Sequence, residues 1–324
     1  MADFAPGLVT VFGGSGFVGT QVVRALAKRG WRVRVAVRKP ALAYELRMAG
    51  DVGQIQTVRC DITDKAAVAE AIKGADAVIN LVGILFETGG RKFEALHVQG
   101  AVNVAEAARA AGVKRLTHMS AIGADVNGKA AYARTKGAAE AAVRAAFPGA
   151  AIIRPSIIFG SDDAFLNKFA AMATFSPALP LIGGGVTKFQ PVYVGDVAEA
   201  VARATVTPEA EGKTFELGGP AVWTFEDILK FILRETKRER FLIPIPFPIA
   251  RMIGSLAQIP AAIGLAPALT KDQVVLLESD NVVSPGAEGL AELGIEPTGL
   301  EAIAPSYLWR YRVGGQYAEN PTNA

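Results

Sequence analysis

The chain has 324 residues, of which 51% are hydrophobic and 20% are charged, and its mean hydropathy is positive. This composition excludes a disordered chain or a coiled coil, and the length suits one large or two modest domains. A formal net charge of +3 is too balanced for a general nucleic-acid-binding protein, which would carry a strongly basic surface.

The first half of the sequence alternates short apolar segments with alanine-rich segments of helical periodicity. We interpret the apolar segments as strands, at Leu8–Phe12, Trp31–Val37, Gln56–Arg59, Ala77–Val82, Arg115–Met119 and Ala151–Arg154. The helical segments are Gln21–Lys28, Lys65–Ile72, Phe93–Ala110 and Tyr132–Ala146. Strands separated by helices of this length are typical of βαβ units. We therefore predict an α/β fold, a doubly wound parallel sheet of Rossmann type that is buried on both faces.

After residue 160 the pattern loosens, with proline and glycine clusters at Ser176–Gly185 and Phe241–Pro248. We predict a dinucleotide-binding domain over residues 1–160, to which strands at about 187–220 return. The returning strands are Phe189–Val194 and Lys213–Leu217. The remaining chain would form a smaller α/β part for a substrate or partner, followed by a tail, with predicted boundaries at 161–186, 221–312 and 313–324.

A glycine-rich turn joins the first predicted strand to the first predicted helix, with the spacing Gly13-x-x-Gly16-x-x-Gly19. In this pattern Gly13 permits a tight turn, Gly16 lets the backbone approach a pyrophosphate, and Gly19 lets the helix pack closely against the strand. The N-terminus of the helix presents free N–H groups and a partial positive charge to the phosphates. The turn therefore predicts a dinucleotide site formed by Gly13, Ser15, Gly16, Phe17, Val18 and Gly19.

The end of the second predicted strand indicates which dinucleotide binds. An NAD site needs a carboxylate there to accept hydrogen bonds from the ribose 2′-hydroxyl. This chain has no Asp or Glu between Phe4 and Tyr44, whereas Arg38 and Lys39 lie at that strand end. A guanidinium matches a 2′-phosphate in charge and geometry, which favours NADPH (NADP). Two alternatives stay open, namely that these residues are solvated strand-end charges, or that Arg38 stacks on the adenine of NAD.

Taken in order, the motifs resemble the short-chain dehydrogenase/reductase superfamily, in its extended and atypical branches. The resemblance covers roughly residues 7–220. Besides the glycine turn, it is carried by Asp61, the run Asn80–Gly83, the pair Tyr132-x-x-x-Lys136 with Ser120 twelve residues upstream, and Arg154-Pro155-Ser156.

This resemblance implies roles for individual residues. The Lys136 ammonium would lower the pKa of Tyr132 and hold the ribose hydroxyls. The Tyr132 hydroxyl would transfer a proton to or from a substrate carbonyl that Ser120 positions. If the protein is an active enzyme, these three residues are catalytic. Further cofactor contacts are implied at Asp61, Ile62, Leu81, Val82, Gly83, Lys136, Pro155 and Ser156.

The second half of the chain resembles one branch of the superfamily, the nucleotide-binding accessory subunit of respiratory complex I and its bacterial relatives. The resemblance is carried by Arg154–Asn167, Gln190–Val197, Thr270–Gln273, Asp280–Asn281 and Tyr307–Arg312. It implies a tightly held NADPH and docking on the hydrophilic arm near the membrane. We expect an accessory, assembly or redox-sensing subunit of complex I. The alternative is an NADP-dependent oxidoreductase or epimerase for an apolar substrate such as a quinone or a lipid intermediate.

Residues 237–270 combine basic and apolar side chains. From Met252 to Thr270 the chain carries no charge, a length that alone would favour a membrane-spanning helix. Four helix-breaking residues oppose that interpretation: Gly254, Pro260, Gly264 and Pro267. The basic run Lys237–Arg240 and Arg251 beside apolar residues suit an anionic membrane surface or a membrane-proximal subunit. An apolar substrate lid and a set of short core helices are the alternatives.

Few residues are available for metal or disulfide chemistry. Cys60 is the single cysteine and His97 and His118 are the two histidines, so we predict no disulfide and no metal site. We interpret all three as packed core residues. The N-terminal sequence lacks a basic region followed by an apolar stretch, which predicts no signal or transit peptide. We expect a cytoplasmic protein of bacterial type, peripheral on the inner membrane, that binds no nucleic acid.

Overall fold

The computed structural model describes residues 6–258, 267 and 269–317. The strands, in chain order, are β1 Leu8–Phe12, β2 Arg32–Val37, β3 Ile55–Arg59, β4 Ala77–Asn80, β5 Arg115–Met119, β6 Ala151–Pro155, β7 Ile158–Phe159, β8 Ala178–Ile182, β9 Lys188–Phe189, β10 Val192–Tyr193, β11 Thr214–Leu217, β12 Trp223–Thr224 and β13 Phe241–Ile245. The α-helices are α1 Phe17–Lys28, α2 Lys65–Ile72, α3 Gly100–Ala110, α4 Ala131–Ala146, α5 Leu166–Phe175, α6 Val194–Val206, α7 Phe225–Glu235, α8 Phe247–Ala257, α9 Lys271–Leu276, α10 Leu300–Ile303 and α11 Pro305–Leu308. A π-helical segment, Glu94–Gln99, leads directly into α3.

Seven parallel strands form the main sheet in the order β11-β6-β5-β4-β1-β2-β3. Parallel neighbours cannot be joined by hairpins, so each connection crosses over through helices that cover the sheet. The strand order reverses between β1 and β4, where the carboxyl ends of parallel strands open a crevice that ligands use in this architecture. The predicted doubly wound α/β fold of Rossmann type is confirmed.

The main sheet separates two apolar clusters. Strand β1 contributes side chains to both of them, which explains why its sequence is almost entirely apolar. Val9 and Val11 face the cluster that α1 and α6 cover, whereas Phe12 faces the cluster that α2, α3 and α4 cover. Thr10 is fully buried on the same side as Phe12, and its hydroxyl donates to the carbonyl of Ala71 at 2.9 Å. A strand buried on both faces has no side that needs polar residues.

A second lobe packs around a third apolar cluster, which combines α5, α7 and the C-terminal helices with aromatic residues such as Phe169 and Phe225. The C-terminal segment joins this lobe through two tyrosines. The Tyr307 hydroxyl donates to Asp163 at 2.9 Å, and that of Tyr311 donates to Asn167 at 3.0 Å. These contacts join the motif Arg154–Asn167 to the motif Tyr307–Arg312, which is distant in sequence.

Two predicted segments differ from the structure. Lys213–Leu217 returns to the main sheet as β11, but Phe189–Val194 does not. It is divided into β9, which pairs with β12, and β10, which pairs with β7, because Pro191 between them has no N–H for a continuous ladder. Phe241–Pro248, predicted as a proline-rich cluster, forms β13, which pairs in parallel with β8, and the start of α8.

In the described ranges, no helix is long and apolar enough to cross a membrane. The apolar stretch from Met252 is helical to Ala257, where α8 ends. The predicted helix breakers Pro260 and Gly264, and the predicted tail after residue 317, lie outside the residues that the structure describes.

Candidate functional site

The three glycines of the turn between β1 and α1 differ in conformation and surroundings, in line with their predicted roles. Gly13 has a φ of +77°, a conformation that side chains disfavour. A Cβ atom on Gly19 would overlap the Gly13 carbonyl oxygen and lie 2.7 Å from the Gly14 carbonyl carbon, so the helix packs against the turn only with glycine there. A Cβ atom on Gly16 would meet only the Gly13 oxygen, at 3.4 Å. Gly16 therefore leaves an open backbone face.

The N-terminus of α1 suits an anion. Gly16 is its N-cap, and within the described chain no side chain caps it and no acidic residue lies in its first turn. Its first-turn N–H groups are therefore left to an external acceptor. Ser15 is exposed at the turn, while Phe17 and Val18 are half-buried, with the Phe17 ring against Gly160. The turn fits the phosphates of a dinucleotide.

Charged side chains beyond the ends of β2 and β3 lie close enough to interact electrostatically. Arg38 and Lys39 are exposed at the end of β2. Asp61 follows β3 and accepts hydrogen bonds from the backbone N–H and the hydroxyl of Thr63, at 3.0 and 2.7 Å. These bonds, with the charge of Arg38, hold the pKa of Asp61 below its usual value. Burial and the same Arg38 charge lower the pKa of Arg91, a residue that sequence reasoning missed.

The two residues on either side of Asp61 are buried, as predicted for Cys60 but not for Ile62, which was expected to contact the cofactor. Cys60 is buried, and burial raises the pKa of its thiol to about 11, as suits a core residue. The Ile62 side chain is also buried, in the cluster that α3 covers, and its carbonyl accepts from the Asn103 amide at 3.0 Å.

The segment after β4 lies directly against the glycine turn. A Cβ atom on Gly13 would lie 3.2 Å from the backbone of Leu81 and of Val82. Asn80 shapes this segment, because its side-chain oxygen accepts from the Val82 N–H at 3.1 Å. A Cβ atom on Gly83 would lie 3.3 Å from the Lys136 Nζ atom. The glycine turn, the Leu81–Gly83 segment and Lys136 therefore line one crevice.

Lys136 on α4 connects Tyr132 with the end of β5, where Ser120 follows Met119. The Lys136 ammonium is buried, donates to the Met119 carbonyl at 3.1 Å, and lies 6.0 Å from the Tyr132 ring centroid. The Ser120 backbone N–H donates to Ile153 at 2.7 Å. Its hydroxyl is buried and has no hydrogen-bond partner among the described residues. Because buried hydroxyls are rarely left unpaired, this one suits a ligand.

Burial dominates the acid–base properties of this group. It raises the pKa of Tyr132 to about 12 and lowers the pKa of Lys136 to about 8, the latter against the opposing charge of Glu140. The implied lowering of the Tyr132 pKa is therefore not what the structure has. Desolvation disfavours the phenolate, and the Lys136 ammonium is bonded to the Met119 carbonyl instead. The phenol is a neutral proton donor at physiological pH.

His97 connects two parts of the crevice, which sequence reasoning missed. The π-helical segment places its ring beside Tyr132, with 5.5 Å between the centroids. The Nε2 atom accepts from the Ile84 N–H at 3.1 Å, and Nδ1 lies 3.0 Å from the Thr135 hydroxyl. Burial and the Lys136 charge lower the pKa of His97 to about 3. A neutral, buried ring thus joins the segment after Gly83 to α4, consistent with the predicted packed role.

The β6 end is fastened within the protein. Arg154 donates two hydrogen bonds to the Glu140 carboxylate, at 2.9 and 2.7 Å, and so ties β6 to α4. The Ser156 hydroxyl lies 2.7 Å from the Asn281 side-chain oxygen and 2.8 Å from its carbonyl. Pro155 accepts from the Ile122 N–H at 3.0 Å. The Ser156 hydroxyl is therefore engaged with Asn281 rather than free in the crevice.

Comparisons with known proteins agree with this geometry. Residues 9–218 match the NAD dependent epimerase/dehydratase family. The chain is 38% identical, over 310 residues, to the mitochondrial NADH dehydrogenase [ubiquinone] 1 alpha subcomplex subunit 9 of Rattus norvegicus, covering 94% of this chain and 80% of that protein. It is also 31% identical to a ceramide reductase of Caulobacter vibrioides, covering 99% of both.

Among solved structures, an NADPH-dependent quinone oxidoreductase from Escherichia coli, complexed with NADPH, superposes with a TM-score of 0.71. The two chains are 22% identical, and the match covers 93% of this chain and 99% of the other. At that identity the likeness concerns the fold alone.

Proposed function

Because this chain belongs to the NAD-dependent epimerase/dehydratase family, within the short-chain dehydrogenase/reductase superfamily, we propose that it is an NADP(H)-binding accessory subunit of a respiratory complex I. One observation carries the proposal. The 38% identity to a complex I subunit covers 94% of the chain, whereas the family match ends at residue 218. The similarity therefore includes the second lobe, which a shared dinucleotide-binding fold alone does not require.

The crevice residues fit the cofactor. The backbone of Gly13–Gly19 and the N-terminus of α1 would hold the pyrophosphate, Leu81–Gly83 would line the crevice, and Lys136 would bind the ribose. Arg38, with Lys39 beside it, would pair with the 2′-phosphate. When bound, the nicotinamide supplies or accepts a hydride. The neutral Tyr132 phenol and the unpaired Ser120 hydroxyl are the protein groups that would face a carbonyl oxygen.

We further propose that α8 meets an anionic membrane surface. Its inner face is buried at Ala250 and Gly254. Its outer face, defined as Ile249, Met252, Ile253 and Leu256, is between 41% and 62% exposed. The exposed side chains of Phe241 and Ile243 extend this apolar area along β13. An exposed apolar face of this kind marks an interaction site. Arg251, on the same helix and 3.5 Å from Glu278, is partly exposed and adds a cation that favours an anionic lipid interface.

Vesicle sedimentation tests the membrane proposal. The wild-type protein is expected to sediment with vesicles that contain anionic phospholipid and to remain in solution with neutral vesicles. Met252→Glu combined with Leu256→Glu is expected to abolish sedimentation. Leu42→Glu combined with Met48→Glu is a matched control, since these exposed apolar residues lie in the first half. Equal sedimentation of the two double variants would contradict a role of the α8 face.

Turnover of an apolar substrate is the second candidate function. It is favoured by the intact Ser120, Tyr132 and Lys136 group and by the 31% identity to a ceramide reductase over 99% of both chains. In this case Ser120 would position a carbonyl oxygen and the Tyr132 hydroxyl would give it a proton. The Ser120 side chain is buried and the Tyr132 side chain is half-buried, which limits the access of water to that transfer.

Purification of the tagged protein from membranes of its native organism separates the two functions. Co-purification of complex I subunits in stoichiometric amounts is expected for the accessory subunit. A free protein that consumes NADPH with a ketone or quinone of low polarity, and recovers no complex I subunits, would favour the oxidoreductase instead.

A further inference from the structure

A carboxylate from the second lobe holds the first turn of the helix that carries Tyr132 and Lys136. The Asp272 side chain accepts hydrogen bonds from the backbone N–H groups of Ala131 and Tyr132, at 2.6 and 3.0 Å. The N-cap residue of α4, Ala130, has no side chain that could cap these groups. Asp272 therefore supplies, from the far part of the chain, the cap that α4 lacks.

Asp272 is itself held at a well-defined position. It lies in the first turn of α9, which begins with a capping box between Thr270 and Gln273, whose two hydrogen bonds measure 3.1 and 3.2 Å. The backbone of α8 packs on this start. A Cβ atom on Gly254 would lie 2.9 Å from the Lys271 nitrogen and 2.9 Å from the Thr270 carbonyl carbon. Any displacement of α8 at Gly254 therefore displaces the segment that bears Asp272.

The helix that Asp272 holds reaches the crevice at several points. Lys136 donates to the Met119 carbonyl beside Ser120. Thr135 bonds to His97, whose ring accepts from Ile84. A shift of the first turn of α4 would move Tyr132 directly and would alter the positions of these partners.

We propose that Asp272 is a positioning residue through which the α8–α9 segment sets the cofactor affinity of the crevice. The proposal rests on the cofactor binding proposed above. Asp272 touches neither the cofactor nor a substrate. It acts by keeping the backbone of Ala131 and Tyr132 in the place that lets Lys136 meet the ribose. Because the start of α9, which bears Asp272, packs against the backbone of α8, a displacement of α8 should change the affinity of the crevice for the cofactor.

A matched control separates positioning from ordinary helix capping. Asp64 accepts hydrogen bonds from two first-turn N–H groups of α2, those of Ala66 and Ala67, at 3.0 and 3.1 Å. Its chemistry is that of Asp272, but α2 carries none of the crevice residues. Asp64→Ala and Asp272→Ala are therefore expected to lower the melting temperature comparably.

Isothermal titration with NADPH, at a temperature where all variants are folded, gives the decisive comparison. Asp272→Ala is expected to raise the Kd for NADPH at least about five-fold, a typical size for coupling between sites, while Asp64→Ala leaves it within about two-fold of wild type. Equal Kd values for the two variants would overturn the proposal. If Asp272→Ala does not fold, Asp272→Asn, which keeps one acceptor, is the variant to compare with Asp64→Asn.

A double-mutant cycle tests the route through α8. Gly254→Ala is expected to raise the Kd about three-fold or more in the presence of Asp272, and to add nothing in the Asp272→Ala protein. Gly299→Ala is its control, since a Cβ atom there would lie an ordinary 3.7 Å from Pro220. Additive effects of Gly254→Ala and Asp272→Ala would overturn the coupling.

Amide hydrogen exchange distinguishes failure of this proposal from failure of the proposed function. Without any cofactor, Asp272→Ala and Gly254→Ala are both expected to speed exchange at residues 131–137 relative to Asp64→Ala and Gly299→Ala. Unchanged exchange at these residues would contradict the positioning role. If exchange at these residues is faster in both variants but the wild-type protein binds no dinucleotide, the cofactor proposal fails and the contact between Asp272 and α4 does not.

Discussion

Two buried serines near the crevice differ in how the protein satisfies their hydroxyls. Ser156 is bonded to Asn281, whereas the Ser120 hydroxyl has no partner in the described part of the chain. An unpaired buried polar group costs about 1–3 kcal/mol, and a fold retains such a group where a ligand completes it. The difference points to Ser120 as the residue that meets a ligand.

The two serines therefore predict opposite effects on stability. Ser120→Ala is expected to raise the free energy of unfolding of the cofactor-free protein by about 1 kcal/mol, because it removes an unpaired buried hydroxyl. Ser156→Ala is expected to lower it by about 1 kcal/mol, because Asn281 loses its partner. Urea unfolding of both variants checks this. Destabilisation of both proteins to the same extent would show that the Ser120 hydroxyl has a partner within the chain.

His118 predicts a pH dependence of stability. It is fully buried, and burial, reinforced by the charge of Lys136, lowers its pKa to about 3. The unfolded chain takes up this proton near pH 6.5, whereas the folded protein does not. Stability is therefore complete above pH 6.5 and falls as the pH decreases towards 3, by up to about 1.4 kcal/mol per pH unit. His118→Gln is expected to reduce this slope in urea unfolding between pH 7 and 5, and an unchanged slope would contradict a buried neutral ring.

Arg38 is expected to determine the choice between the two dinucleotides. Replacing it by aspartate removes a charge-assisted contact to the 2′-phosphate, worth about 1.5–3 kcal/mol, and supplies a carboxylate for a 2′-hydroxyl. The ratio of NADPH to NADH affinity in Arg38→Asp should fall about ten-fold to a hundred-fold. Fluorescence titration with each dinucleotide measures it. Lys73→Asp, on the exposed surface after α2, is the control, and equal ratios in both variants would place Arg38 outside the site.

At the scale of elements, the glycine turn does two separate tasks with neighbouring residues. Gly19 permits the close contact between α1 and the turn, whereas Gly16 keeps a backbone face open. The first task concerns folding and the second concerns binding. Substitution of Gly19 should therefore affect the stability of the protein, whereas substitution of Gly16 should affect cofactor binding.

Alanine at each position tests this separation. Gly16→Ala is expected to keep the free energy of unfolding within about 1 kcal/mol of wild type, since its Cβ atom meets no close neighbour. It should nevertheless remove most of the rise in melting temperature that NADPH causes by binding the folded state. Gly19→Ala should destabilise the protein by about 1–3 kcal/mol even without cofactor, because the backbone must shift. Thermal melts with and without NADPH measure both effects, and loss of stability in Gly16→Ala alone would reverse the assignment.

The elements of the first half were predictable because a parallel sheet buried on both faces leaves a direct pattern. The run Leu8–Phe12, the glycines after it and the periodicity of α2 each depend on neighbours in the sequence. Phe189–Val194 was not predictable in this way. Its apolar residues suit a strand of the main sheet, yet its partners are β12 and β7, which distant parts of the chain supply.

The site shows the same division. The glycines were singled out by their local spacing, and Ser120, Tyr132 and Lys136 by their resemblance to the motif of the superfamily; their roles stay predictions. His97 was predicted only to pack, and Asp272 was noted only as part of a motif, because the contacts of each are with partners across the fold. The Tyr132 pKa was expected to be lowered, whereas burial, which depends on elements distant in sequence, raises it to about 12.

At the scale of the whole molecule, the second lobe contacts the crevice through polar bonds at its border. Asp272 bonds the start of α4, and Asn281 bonds Ser156 at the end of β6. The same lobe presents the exposed α8 face. A chain that binds a cofactor in one lobe and a membrane-proximal assembly with the other would need such connections. An enzyme that closes over its substrate would need them as well. The two functions are therefore distinguished by removing a hydroxyl that proton transfer requires and cofactor binding does not.

That hydroxyl belongs to Tyr132. Tyr132→Phe removes the proton-transferring group but keeps the ring that contacts His97 and Phe93. For an accessory subunit we expect near-normal assembly and activity of complex I in cells with this variant. Lys136→Ala should do more harm, because the ribose and the Met119 carbonyl both lose a buried donor, which costs about 1–3 kcal/mol and loosens the cofactor. Oxygen consumption by a complemented deletion strain measures both. A respiratory defect in Tyr132→Phe as large as in the deletion strain, at unchanged protein level and NADPH content, would show that the hydroxyl performs chemistry and would favour the oxidoreductase.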